Sequence, residues 1–201
     1  MGKKYELTEE TKEFYGRTLY RIKALKDFGD VEVGDLGGYI ESESNLMQEG
    51  CAWVYGNAMV YGSARVCDNA EVHANAMVYG SAKVCDNAKV YGDAMVLGSA
   101  DVCGSANVYG SANVYGYADV RGDAEIKGKT DYIVFKNWWS SGRYFTWTRS
   151  NNMWKVGYFY GTGKELVEKA YKDSELSGRE YERVVKYVES ILADEKKQRK
   201  Q

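Results

Sequence analysis

From Cys51 to Gly128 the chain is thirteen uninterrupted hexapeptides, opening CAWVYG, NAMVYG, SARVCD and closing YADVRG, DAEIKG. The second position is Ala in all thirteen, the fourth is Val in twelve with Ile126 in the last, and the sixth is Gly in ten. Asp68, Ala74 and Asp86 are the exceptions at the sixth position, and the first position is Asn, Ser or Asp in eleven hexads. A period this strict overrides local propensity and specifies a solenoid. Residues two apart on a strand share a face, so Ala and Val both point inward. Gly followed by Asn, Ser or Asp supplies a corner, because these residues tolerate the backbone a sharp turn needs. Three such units close a triangular coil of eighteen residues. That larger period is visible when NAMVYGSARVCDNAEVHA (57–74) is set beside NAMVYGSAKVCDNAKVYG (75–92).

The spacing of Val54, Gly56, Asn57 and Ala58, repeated in every later unit, resembles the consensus of the hexapeptide-repeat proteins. The resemblance implies a mainly β fold, a left-handed parallel β-helix with three hexads per coil, and the hand comes from the resemblance alone. Upstream, Ile40 and Leu46 precede Ala52 at six-residue steps, so one or two degenerate coils are expected to begin near Gly37. The expected organisation is an N-terminal cap over 1–36, with TLYRIKAL (18–25) as a strand, the β-helix over 37–128, an α+β module over 129–195 and a basic disordered tail over 196–201. In the module, DYIVFK, RYFTWT and MWKVGYFYG read as three strands. Thr162–Glu165 and Ser177–Glu180 read as capping boxes opening two helices, the second with Tyr181, Val184, Val185, Val188 and Ile191 as its apolar stripe.

Composition narrows the class further. The chain has no proline among its 201 residues, consistent with backbone N–H groups committed to ladders. Its formal charge of −2 is uneven: 1–50 carries −4, 51–128 carries −3 and 129–201 carries +5. No apolar run approaches the ~18 residues of a membrane span and the N-terminus has no apolar leader, so a cytoplasmic protein without a membrane partner is expected.

Functional chemistry must sit on the third and fifth positions of each hexad, which point outward. Sorted by coil they make three faces. The first stacks Trp53, Glu71, Lys89 and Asn107 beside Tyr55, His73, Tyr91 and Tyr109. The second stacks Met59, Met77, Met95 and Asn113 beside Tyr61, Tyr79, Leu97 and Tyr115. The third stacks Arg65, Lys83, Asp101 and Asp119 beside Cys67, Cys85, Cys103 and Arg121. The uncharged second face is expected to be an interface (Met59, Tyr61, Met77, Tyr79, Met95, Leu97, Tyr115), covered by a second copy in a dimer or trimer or by the C-terminal aromatic segment. The cysteine column reads as three exposed thiols of a reducing compartment. A straight column converges poorly on an ion, so no metal and no cofactor are expected.

His73 is the single histidine. That excludes the three-histidine zinc site found in some proteins of the resembled family. It leaves the acyl-CoA-dependent acyltransferases of that fold, which the resemblance implies would use His73 as general base. Yet His73 fills a slot that is tyrosine elsewhere in its column, and no loop is extruded between hexads to wall a site. In the C-terminal module Trp138, Trp139, Arg143, Tyr144, Trp147 and Arg149 combine flat rings with guanidinium groups, the chemistry that stacks bases and neutralises phosphate. Taken whole, with its GDLGGYIE segment, solenoid and strand–GYFYGT–helix module, the chain is similar to bacterial and phage-borne proteins labelled acyltransferases on the repeat alone. The leading expectation is a non-enzymatic, oligomeric binding scaffold, phage- or prophage-encoded and directed at a host component in an anti-defence role. The alternatives are the His73 acyltransferase and a nucleotide-binding or sequestering protein using the aromatic–arginine cluster. Duplex nucleic acid is not an expected partner.

Overall fold

The computed structural model describes residues 2–198. Each hexad supplies one two-residue rung, β4–β16, from Trp53–Val54 to Glu125–Ile126. Rungs eighteen residues apart pair in parallel and in register, as in Met59↔Met77↔Met95↔Asn113 and Arg65↔Lys83↔Asp101↔Asp119. The result is a mainly β protein whose stacked coils form a β-solenoid. Every repeat Ala and Val, with Ile126, is at most 1% exposed, so the prism interior is a dry column of small side chains. Corner glycines such as Gly80 are left-handed at φ 74°, and so are the three exceptions Asp68, Ala74 and Asp86 at 60°, 59° and 57°. The aspartates put that strained corner to use: Asp86 accepts the Gly104 N–H of the coil above at 2.9 Å.

One more coil precedes the regular hexads. Strand β3 (Leu36–Ile40) pairs with the second rung through Tyr39↔Met59 and Ile40↔Val60, and Leu46 bridges Val66. Ile40 and Leu46 therefore occupy valine slots, and the six-residue step from Leu46 to Ala52 is not the structural one. The next valine slot is Val54, so the corner after Leu46 carries two extra residues.

Strands β1 (Tyr5–Phe14) and β2 (Arg17–Ala24) form an antiparallel hairpin that adds to β3 along the second face. Its base turns Tyr5, Ile22 and Ala24 into the solenoid core. Trp53, outward by simple alternation, is instead buried and closes the lower end against Tyr5 and Phe28 at ring separations of 6.0 and 5.3 Å. The hairpin tip folds over the outside of the same sheet, where Phe14 and Leu19 cover Met59 and Tyr61.

Above Ile126 the C-terminal module is a four-stranded antiparallel sheet, β17 (Tyr132–Lys136), β18 (Tyr144–Thr148), β19 (Met153–Val156) and β20 (Phe159–Gly161), rather than three strands. MWKVGYFYG folds back on itself at the left-handed Gly157 and so yields two of them. Helix α1 (Gly163–Asp173) opens with the expected capping box, in which Thr162 accepts the Glu165 N–H and Glu165 accepts the Thr162 N–H. Ser177 opens nothing, because α2 (Glu175–Gln198) starts earlier and Ser174 accepts the Ser177 N–H. Tyr181, Val185 and Val188 bury against Phe145, Trp147 and Trp154 of the sheet. The helix continues through Lys196 and Lys197 to Gln198, where a disordered tail was expected; 199–201 lie outside the described residues.

Candidate functional site at the solenoid–module cleft

Where the module meets the last two coils, a cleft of about 500 Å³ opens between Tyr115, Gly116 and Tyr117 of the solenoid and Lys129, Tyr132, Ile133, Val134 and Tyr144 of the module. Repeat geometry fixes the solenoid wall. Tyr115 is the outward residue of the top second-face rung, and Tyr117 occupies a corner position that is Asn, Ser or Asp in all but one other hexad. Tyr144 opens β18 and stacks on Tyr117 at 4.4 Å with 7° between the rings, joining the two bodies with a flat aromatic pair. The Lys136 ammonium lies 5.8 Å from the centre of the Tyr144 ring, and Lys129 lines the cleft. Tyr132 forms the floor; its hydroxyl donates to the Asn113 carbonyl at 2.9 Å, and burial raises its pKa. A planar group laid against the tyrosine-lined walls, with an anionic substituent towards Lys129, matches this lining in shape and charge.

The structure separates the six aromatic and arginine residues that sequence grouped together. Trp147 is fully buried core, and Trp139 packs on Phe145 and Tyr181. Arg149 spans the Trp147 ring and forms two hydrogen bonds to Glu195. Trp138 and Arg143 are exposed, and only Tyr144 lines the cleft. Size and charge at single positions do not reveal which side of a small sheet each residue takes. The residue missed by sequence was Tyr117, and its signal was present: a large ring where the repeat demands a small turn former.

His73 lies on the first face, two coils below the cleft. Its ring stacks on Tyr55 at 4.2 Å, and its Nε2 is 2.8 Å from a Glu71 carboxylate oxygen that also pairs with Lys89 at 2.8 Å. Burial works to raise the Glu71 pKa, but hydrogen bonds from Lys89 and His73 hold it below the usual carboxylate range. The histidine is thus one ring in a stack with a carboxylate at its edge, on an open flat face.

On the second face the hairpin tip buries Met59 and Tyr61, and Met77 and Tyr79 pack at its margin. Met95 and Leu97 are half-buried and Tyr115 is exposed. Within the chain, the cover over Met59 and Tyr61 comes from the N-terminal hairpin and not from the C-terminal aromatic segment. On the third face the expected three exposed thiols are corrected outright: Cys85 and Cys103 are buried and joined by a disulfide across one coil, and Cys67 is half-buried and free. Adjacent rungs hold the two Cα atoms 4.7 Å apart, within the range a disulfide spans. Among the described residues no helix is long and apolar enough to cross a membrane.

Two comparisons with known proteins bear on this geometry. A family model described as the YdcK β-solenoid repeat matches residues 52–68. The chain is 37% identical to a protein of Escherichia coli (strain K12) named "Uncharacterized acetyltransferase YdcK", over 35% of this chain and 24% of that relative. The match thus spans about a quarter of the relative's length.

Proposed function

We propose that the chain is a non-enzymatic binding scaffold whose ligand site is the tyrosine-lined cleft between the last coils and the C-terminal module. The observation that carries this reading is the Tyr117–Tyr144 stack, which joins solenoid and module and lines a cleft that also carries Lys129. The lining is tyrosine, lysine, glycine and aliphatic side chains, suited to hold a planar anionic molecule such as a nucleotide. Thermal unfolding with adenine nucleotides, cyclic dinucleotides and CoA esters tests it. A bound ligand at a hundred times its Kd stabilises by about 2.7 kcal/mol, and Tyr117→Ala should abolish that gain while His73→Ala preserves it. A panel with no stabilising member overturns the small-ligand reading.

The remaining uncovered strip of the second face supports assembly into a homo-oligomer, and Met95→Glu is expected to lower the mass measured in solution. A phage-encoded, host-directed setting belongs to the same proposal and predicts a host component retained on the intact chain but not on Tyr117→Ala. The second reading is an acyl-CoA-dependent acyltransferase with His73 as base. It is supported by the His73–Glu71 contact and by the printed name of the relative. Acetyl transfer from acetyl-CoA that disappears in His73→Ala would establish it over the scaffold.

A further inference from the structure

The third face carries a column of sulfurs that the proposed binding role does not use. Cys67, Cys85 and Cys103 each follow an in-register valine, and their N–H groups donate to Val84, Val102 and Val120 of the coil above at 3.0 Å in all three cases. The backbone relation of Cys67 to Cys85 is therefore the same as that of Cys85 to Cys103. One pair is bonded, and the free Cys67 Sγ lies within 4.8 Å of the Cys85 Sγ. The middle cysteine thus has a backbone-equivalent neighbour on each side, one bonded to it and one whose free sulfur lies within 4.8 Å, so attacking and leaving sulfurs flank the same central sulfur.

We propose that this column is a thiol–disulfide exchange site, in which Cys67 displaces Cys103 from Cys85 and the free thiol moves two coils upward. The step balances without an external oxidant. Cys67 gives its proton to solvent, its thiolate forms the bond to Cys85, the Cys85–Cys103 bond breaks, and Cys103 leaves as a thiolate that takes up a proton. The surroundings of the two end positions differ. Cys67 is faced by Asp68 and Asp86, with Lys83 the nearby cation; burial first, then the Asp68 hydrogen bond, push its thiol up to about 11. The position above Cys103 in the column is Arg121, which pairs with Asp119 and lies 3.9 Å from Asp101, and Lys155 stands 3.8 Å from Asp119. A thiolate at Cys103 would have Arg121 as the next residue up its column and the Asp86 carboxylate within 4.8 Å, beside a second cleft lined by Asp86, Gly104, Asp119, Arg121 and Lys155. Exchange therefore moves the free thiol from a position faced by Asp68 and Asp86 to one that keeps Asp86 but has Arg121 above it in the column.

Acid quenching followed by unfolding and maleimide labelling reads which cysteine is free. Trypsin separates the three, since Arg65, Lys83, Lys89 and Arg121 bracket them singly. In the wild-type chain, equilibrated without reductant, the ratio of label on Cys103 to label on Cys67 is expected to rise roughly tenfold or more from pH 7 to pH 10. Label confined to Cys67 throughout that range overturns the proposal. In Cys103→Ser treated with oxidised glutathione, a Cys67–Cys85 disulfide is expected; recovery of both as free thiols overturns it independently of any pH effect. Cys85→Ser should leave Cys67 and Cys103 free, because two rung steps of ~4.8 Å put them beyond disulfide reach, and a bond between them would refute the column.

Discussion

The two ends of the solenoid present opposite chemistry, and the two caps differ accordingly. The outward residues of each coil donate their N–H groups upward to Ala and Val carbonyls of the next, as in Asp101 to Ala118 and Asn107 to Ala124. The lowest coil is thus left with Ala- and Val-slot carbonyls that need donors, and the top coil with outward N–H groups that need acceptors. At the lower end the second face is paired by β2. The Leu46 carbonyl of the third face accepts from the Tyr5 hydroxyl at 2.7 Å, and the Ala52 carbonyl of the first face accepts from the Lys4 ammonium at 2.9 Å. At the upper end one hydroxyl serves each face: Tyr132 accepts from Tyr115 N–H at 3.4 Å, Thr146 from Asp119 N–H at 2.9 Å and Ser150 from Glu125 N–H at 2.7 Å. The lower cap spends a buried charge on the task; the upper cap uses neutral hydroxyls, those of Thr146 and Tyr132 on buried residues and that of Ser150 on an exposed one. The consequence is that the lower end is the more costly to disturb and the upper end is the freer to carry a ligand cleft.

The largest expected effect tests the buried charge. Lys4 is fully buried, and desolvation lowers its pKa from 10.5 to about 8. Between those values the unfolded chain keeps the proton that the folded chain has lost, so the Lys4 contribution to stability rises with pH over that window. Lys4→Met removes the donors but also the cost of burying charge, so the two terms nearly cancel near pH 7. By pH 10 the variant should be less stable than wild type by on the order of 2 kcal/mol in urea unfolding. A wild-type-minus-variant difference that stays flat with pH would contradict the account. Tyr5→Phe leaves the Leu46 carbonyl buried without its phenol and should cost about 1–3 kcal/mol. Thr146→Val, an isosteric loss at the upper end, is expected to cost about 1 kcal/mol. Ser150→Ala, at an exposed position, should cost less than about 0.5 kcal/mol. Upper-cap losses as large as those below would erase the contrast between the ends.

The solenoid was legible because its signal is redundant. A slip at any one hexad is outvoted by twelve others, and each Ala and Val carries the same instruction. Legibility fell wherever the period ended. Leu46 kept six-residue spacing on paper, yet its coil takes two extra residues, since a corner can lengthen without changing which side chains point inward. Trp53 obeyed alternation by register and still turned to close an open end, because the nearest apolar space lay below it. The aromatic–arginine group looked like a site by composition. In a sheet of four short strands most of its rings were needed as core, and the cleft took Tyr144 alone of the six.

What the sequence determined by itself was the repeating unit: three faces, the inward Ala and Val, and the left-handed corners, all local consequences of a six-residue pattern. Only the tertiary structure decided what closes each end, what covers the second face, that two of three stacked cysteines are bonded, and that Tyr117 meets Tyr144 across a cleft. Those outcomes depend on segments distant in sequence competing for the same unpaired edges and apolar surface. No local pattern records which segment wins.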